Sequence, residues 1–502
     1  MSNFIVDTFF SFFDTLNKDY LKRILKTMKN NAKNFENRNN RRTFGAHLTS
    51  TEIFHNWVYP EIKEKLFNYI WVDLYAGEGN LILPILDFIP LENRIKFFEE
   101  HIFLFDIQPE MIQESIKNAL GYEIPLEIAR KNILLRNNLE NFPEFLKKRR
   151  LPLYHITNPP YLYLGYIRKH KETQDYLKYF EKGNEGYQDL YQIAMINDLR
   201  HNIKNLIYII PSNFLFGDSV SNKFRLDFLK FYNILKMIIY ETKIFEYTGT
   251  NICIGFFKRK PIPKNEIVEF NGLKIKNSNK TLKKGYRLKP KYKYRAGSKF
   301  LEFLENNKAN QPLVVNYYLL NAEVVKNKGS NQITVIDSNN YNNNEYKLKT
   351  LYVNDHLKRK IDSNILYVQT VDKGSSKGRV GLRYIRNDFN VSGIYVSSNT
   401  YRTHPIQIFL EPQISINDQI LLRDYFNFLL EHFRRELDSE FLTTYKYSSA
   451  KYTRKYLGLT QVRRLIETFP ILGIDESSRS NLKIAIEKKS FENILKILKK
   501  RD

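Results

Sequence analysis

Residues 155 to 165 read HITNPPYLYLG, an apolar run that stops at an asparagine, two prolines and a tyrosine. Consecutive prolines fix φ twice and remove two backbone donors, so neither a helix nor a paired strand passes through Pro159 and Pro160. Such stiffness holds the Asn158 amide, the Pro159 carbonyl and the Tyr161 ring in set directions. Two other stretches carry comparable chemistry. In VDLYAGEGN, Asp73 closes a strand, and Gly77 and Gly79 let the backbone turn tightly and approach a bound molecule. In FLFDIQP, Asp106 closes the next strand, where an acid can accept hydrogen bonds from ribose hydroxyls of a nucleoside lying across the sheet. Taken singly, these are a structural turn and a helix N-cap. A glycine turn, an acid at the following strand tip and Asn-Pro-Pro-Tyr at a later tip are much harder to obtain together by accident.

The elements that must position these residues are legible as a pattern. From about residue 66 to 260, the apolar runs YIWVDLYAG, HIFLFDIQ, LYHITNPP, NLIYIIPSN, KMIIYE and NICIGFF alternate with amphipathic stretches such as PEMIQESIKNALG. Strands buried on both faces and separated by helices predict an α/β fold with a doubly wound, mainly parallel sheet. Ligands of such a sheet sit at the carboxyl ends of its strands. Composition shifts at PIPKN, residues 261–265, and the stretch KTLKKGYRLKPKYKYRAGSK beyond it interleaves Lys289, Lys291, Lys293 and other cations with tyrosines. Cations among aromatics suit phosphate contact plus stacking, and a solvated linker has the same look. SNNYNNNEY is a polar low-complexity loop, and GSSKGRVGLRY, with Arg379 and Arg383, is a flexible basic one.

The chain has 502 residues, 42% of them hydrophobic and 14% aromatic, which is ample for two or three folded domains. Lys plus Arg number 79 against 54 Asp plus Glu, a net charge of +25 that favours a polyanionic partner, nucleic acid before an acidic membrane surface. Cys253 is the only cysteine, which rules out an internal disulfide and a cysteine-based zinc site and suits a reducing cytoplasmic setting. The nine histidines show no HExxH spacing, and no metal is expected. No uncharged run reaches membrane-spanning length, and FIVDTFFSFFDTL, interrupted by Asp7 and Asp14, reads as an amphipathic helix within a helical segment over residues 1–40.

These motifs, in this order, resemble the gamma class of S-adenosylmethionine-dependent DNA amino-methyltransferases, with TaqI-type catalytic motifs, over about residues 41 to 258. In length and general character the chain is also similar to modification methylases of the HincII/HindII kind. GAHLTS, with Thr49, resembles the short N-terminal cofactor motif. DLYAGEGN resembles the methionine-binding loop, which implies cofactor roles for Asp73, Tyr75, Gly77 and Gly79. FDIQP resembles the ribose-binding tip, with Asp106 and Ile107, and NPPY the catalytic motif. IIPSNFLF and GTNICIGFFKR resemble the strand after it and the closing strand. Two departures stand out: Thr49-Ser50 replaces the usual Thr-Pro, and Asn132 in KNILL is the nearest match to the acid that meets the cofactor's adenine. The resemblance implies a class I methyltransferase fold, with a seven-stranded sheet over residues 41–260 and a mixed α+β target-recognition domain over 266–502.

It also explains the stiffness. An exocyclic adenine amine is a poor nucleophile because its lone pair is delocalised into the ring. Acceptors aimed at both of its protons, the Asn158 side-chain carbonyl and the Pro159 main-chain carbonyl, localise that pair, and the prolines preorganise them. Tyr161 offers a flat face to a base extruded from the duplex, and Phe245, or failing that Tyr247, a second wall. EIK at residues 61–63 matches the tail of a nuclease signature, but three residues in an amphipathic helix do not make a nuclease. The expectation is a monomeric adenine-N6 methyltransferase acting on double-stranded DNA and paired with a restriction endonuclease of the same specificity. Cytosine-N4 methylation, RNA adenine methylation and a non-enzymatic DNA-binding protein remain as alternatives. Lys289, Lys291 and Lys293 are expected on phosphates, and Arg379 and Arg383 are candidates for base reading.

Overall fold

A computed structural model describes residues 49–245, 249–276, 280–372, 378–398, 404–447 and 452–499. The helical segment expected over 1–40 and the residue Tyr247 lie outside the described residues. The chain divides into two compact units, residues 1–208 with 245–248, and residues 209–244 with 249–502. Among the described residues no helix is long and apolar enough to cross a membrane.

In the first unit β1 (Ile70–Asp73), β2 (Ile102–Asp106), β3 (Ile133–Leu135), β4 (Leu153–Thr157) and β5 (Asn205–Pro211) run parallel in the order β3-β2-β1-β4-β5. Every residue of β1, β2 and β4 is buried, as unbroken apolar runs in a parallel sheet covered on both faces must be. The intervening helices are α1 (Leu91–His101), α2 (Pro109–Gly121), α3 (Leu126–Asn132) and α4 (Leu190–Arg200). Strand order reverses between β1 and β4, and the crevice outside the carboxyl ends at such a reversal is where open α/β sheets bind ligands.

β5 passes into the second unit, where the order continues β5-β7-β6-β8-β9. There β6 (Tyr232–Tyr240) pairs antiparallel with β7 (Ile252–Arg259) and parallel with β8 (Val268–Ile275), and β8 pairs antiparallel with β9 (Thr281–Leu288). Seven of these strands, β1–β7, lie within residues 70–259, and β8 and β9 bring the sheet to nine among the described residues. PIPKN is the loop between β7 and β8, so its prolines punctuate a connection instead of a domain boundary at 260. Eight of the twenty residues of the basic stretch, 281–288, are β9 itself. Beyond it lie two four-stranded sheets, and the long helix α5 (Ile416–Leu437) supplies many residues of the largest apolar cluster there, the α+β composition expected of the C-terminal region.

Polar groups buried in the first unit fix the tip of β1. His155 on β4 accepts the Leu74 N–H at Nε2 (3.2 Å), while its Nδ1 lies 2.6 Å from Asp198 Oδ2 on α4. A main-chain N–H only donates, so Nε2 is the bare nitrogen and Nδ1 carries the proton to the carboxylate. The Tyr208 hydroxyl donates to the same Asp198 oxygen at 2.6 Å. From the loop after β3, Asn138 Nδ2 donates to the Leu74 carbonyl at 2.7 Å. Asp198→Ala strips two buried donors of their acceptor, so urea unfolding should show a loss of about 3–5 kcal/mol. A loss below about 1 kcal/mol would mean that the seam does not hold the unit together.

Candidate cofactor and catalytic site

The loop leaving β1 is built to expose its backbone. Gly77 has φ +55° and Gly79 φ +81°, left-handed values that favour glycine. A Cβ at Gly79 would meet Leu83 Cδ1 at 2.7 Å, whereas one at Gly77 would meet nothing within 4 Å, so Gly77 borders open space. α2 pins this loop from below: Ser115 Oγ donates to the Gly77 carbonyl at 2.7 Å and Asn118 Nδ2 to the Glu78 carbonyl at 2.9 Å. Asn80 Nδ2 donates to the Thr49 carbonyl at 3.0 Å, tying the short N-terminal motif to the glycine loop. One cleft is lined by Thr49, Asp73, Tyr75, Ala76, Gly77, Glu78, Asn80, Leu81 and Asn158. Thr49, Asp73, Tyr75, Gly77 and Asn158, singled out from three separate segments of sequence, thus share one wall.

Asp73 and Asp106 act first on the protein's own main chain. Asp73 Oδ1 accepts the Thr157 hydroxyl at 2.6 Å and the Tyr75 N–H at 3.0 Å, which joins the tip of β1 to that of β4. Asp106 accepts the Gly77 N–H at Oδ2 and the Gln108 N–H at Oδ1, both at 2.9 Å, which leaves acceptor capacity on the carboxylate. Burial pushes the Asp106 carboxyl above its usual range, against those main-chain hydrogen bonds. Ile107 beside it is 55% exposed, an apolar surface left open at the tip of β2.

At the tip of β4, Asn158 Nδ2 donates to Thr49 Oγ1 at 2.9 Å, so Thr49 orients the amide. The Asn158 carbonyl oxygen, expected to await an incoming amine, accepts the Tyr161 hydroxyl. Pro159 is buried and Pro160 half-buried. Tyr161 and Phe245 do face one another, with ring centroids 6.5 Å apart and planes at 52°. Both rings are buried, at 8% and 4% exposure, so each packs against protein where an open stacking face was expected.

Asn132 calls for a correction. It ends α3 at the amino end of β3, where its Nδ2 lies within 2.9–3.0 Å of the Phe98, Glu99 and Ile102 carbonyls. That is a buried strut at the end of the strand remote from the crevice. The carboxyl end of β3 leads instead to Asn138, whose Oδ1 is buried without a hydrogen-bond partner among the described residues. Asn138, His155 and Asp198 escaped the sequence reading. An amide shortly after the third strand, in RNNLEN, was the available signal for the first.

The five proposed DNA contacts lie in the second unit, and four of them face acids. Lys289 pairs with Glu302, Lys291 with Glu305 at 2.9 Å, Arg379 with Glu431 at 2.5 Å, and Arg383 with Asp388 at 3.7 Å. Lys293 sits at φ +54°, and its carbonyl accepts Arg225 Nε at 2.7 Å.

No family model matches the chain, and no curated protein matches it in sequence. Among solved structures, a DrdV–DNA complex is similar at 13% identity over 65% of this chain and 38% of that one, with a TM-score of 0.39. The type I restriction enzyme EcoKI M protein is similar at 13% identity over 57% and 59%, with a TM-score of 0.31. A type I restriction-modification methyltransferase subunit from Streptococcus thermophilus is similar at 13% identity over 48% and 50%, with a TM-score of 0.33. The chain spans less than two thirds of each of these structures. Likenesses this distant carry no functional weight, and the reading below rests on the site's own residues.

The cleft also makes a prediction about pH. Burial pushes the Asp73 carboxyl from 3.8 up to about 6, partly offset by the hydrogen bonds from Thr157 and Tyr75. A carboxyl raised on folding takes up a proton, so its contribution is most favourable below pH 3.8 and is lost as pH rises through about 6. Asp73→Asn keeps an oxygen for both donors and removes the proton uptake. Urea unfolding at pH 4 and pH 7 should show the variant gaining on the wild type by about 2 kcal/mol as pH rises. Parallel profiles would contradict this.

Proposed function

We propose that this chain is a site-specific DNA methyltransferase that takes a methyl from S-adenosylmethionine to adenine N6 and protects DNA against a restriction endonuclease of the same specificity. The observation that carries the reading is the meeting of the Gly77–Gly79 loop and Asn158 in one cleft at the sheet's switch point. The residues fit the cofactor: Gly77 leaves open space where a side chain would stand, and the buried Asn138 Oδ1 meets no donor among the described residues. The glycine loop would hold the methionine part, Asp106 the ribose through its spare acceptor capacity, Ile107 an adenine face and Asn138 an adenine amine. When bound, S-adenosylmethionine supplies an electrophilic methyl on a sulfonium that leaves as a neutral thioether.

The chain's own part is to bind, orient and hold protons. Asn158 Oδ1 and the Pro159 carbonyl accept the two protons of the target amine, and Thr49 keeps the amide turned the right way. The Tyr161 hydroxyl must release Asn158 for the base to enter, and the Tyr161 and Phe245 rings must part to take it between them. The same acceptors serve a cytosine amine, and Asn before Pro-Pro-Tyr favours adenine. The net charge of +25 suits a duplex. There Lys289 and Lys291 would exchange Glu302 and Glu305 for phosphates alongside Lys293, and Arg379 and Arg383 would be the candidates to read guanine edges.

Two substitutions separate the roles. Asn158→Ala should slow single-turnover methyl transfer by about 10² to 10³, with cofactor affinity unchanged by calorimetry. Asp106→Ala should do the reverse and weaken cofactor binding by roughly 1–3 kcal/mol. Undiminished transfer in the first variant would remove the catalytic assignment. Unchanged affinity in the second would move the ribose site elsewhere.

A further inference from the structure

The loop that carries Asn158 is tied down from its far side. Neither Pro159 nor Pro160 has an N–H, so this part of the loop can be fastened through amide donors only before or after the pair. After it, Leu162–Leu164 runs antiparallel to Gln188–Leu190 at the entrance to α4. Leu164 N–H donates to the Gln188 carbonyl at 2.9 Å, Leu190 N–H donates to the Leu162 carbonyl at 3.3 Å, and Tyr163 and Asp189 are bridge partners. Asp189 adds its side chain, with Oδ1 accepting the Leu162 N–H at 3.0 Å. Both main-chain groups of Leu162 are therefore engaged. Tyr191, two residues on, meets Tyr161 edge to face at 6.4 Å and 88°.

Asp189 occupies the N-cap of α4, where an acid ordinarily accepts an amide of its own helix. Here the carboxyl also reaches the catalytic loop, its Oδ1 accepting the Leu162 N–H. That service opposes a cost, because enclosure pushes the Asp189 carboxyl from 3.8 up to about 7 while the N–H groups of Leu162, Tyr191 and Leu190 pull it down. A neutral amide could accept the same hydrogen bond.

We propose that Asp189 is a positioning residue: by holding Leu162 it sets the direction of the Pro159 carbonyl and the Tyr161 ring without touching substrate. Its consequence for catalysis rests on the methyltransferase reading, whereas the tether itself does not. The test compares Asp189→Ala, which removes the acceptor, with Asp189→Asn, which keeps one. Three readouts are taken on the full chain: hydrogen exchange over residues 158–165, S-adenosylmethionine affinity and stoichiometry, and single-turnover methyl transfer to DNA. In Asp189→Ala, exchange at Leu162 should quicken about tenfold and transfer should slow about 10²-fold, the cost of a small misplacement. Cofactor affinity and stoichiometry should hold within about twofold, and Asp189→Asn should recover both other readouts. Transfer within about threefold of wild type in Asp189→Ala would overturn the proposal. So would a loss of transfer matched by an equal loss of cofactor-binding protein, which would assign Asp189 to folding alone. A wild-type chain that methylates no DNA would remove the methyltransferase reading, and exchange would then decide the tether: unchanged exchange at Leu162 overturns it, and faster exchange sustains it.

Discussion

The site depends on the clamping of one peptide segment, the main chain just past β1. Leu74 gives its N–H to His155 and its carbonyl to Asn138, while Asp73 takes the Thr157 hydroxyl. The glycine loop begins three residues further on, at Gly77, and Asn158 follows Thr157 directly. A rigid join between the tips of β1 and β4 therefore sets the distance between the surface that would hold a cofactor and the acceptors that would hold an amine. Asp73, Leu74, Asn138, His155 and Thr157 are all buried, and hydrogen bonds among buried groups strengthen one another while making the loss of any one costly.

Three carboxyls near this join sit above their ordinary range, Asp73 at about 6, Asp189 at about 7, and Asp106 raised in the same direction, each chiefly through burial. Each accepts at least one main-chain N–H in the loops that shape the cleft. At neutral pH such groups cost stability and supply order in return, the arrangement expected where geometry matters more than a deeper energy minimum. The Tyr161 hydroxyl on Asn158 belongs to the same logic, since it satisfies a half-buried acceptor from within the protein.

Much of the site was legible because its residue types are unusual where they stand. Few segments end an apolar run in Asn-Pro-Pro-Tyr, and paired glycines followed by an acid at the next strand tip survive without knowledge of contacts. Long-range pairings were not legible. His155 and Asp198 belong to different elements, and neither is distinctive in sequence. Asn132 was misplaced because residue type was read without knowing where the three-residue strand β3 begins. The boundary at PIPKN failed because prolines mark loops within a domain as readily as between domains. Lys289 and Lys291 looked free because Glu302 and Glu305 come later in the chain, and only the fold brings those charges together.

The central claim is that this cleft brings an activated methyl to an adenine amine in DNA. The most direct measurement is single-molecule sequencing of genomic DNA from cells expressing the chain, compared with DNA from cells expressing Asn158→Ala. The account predicts N6-methyladenine at one recurring sequence word in the first and none in the second. Unmodified DNA in both, or methyl groups confined to cytosine, would contradict it.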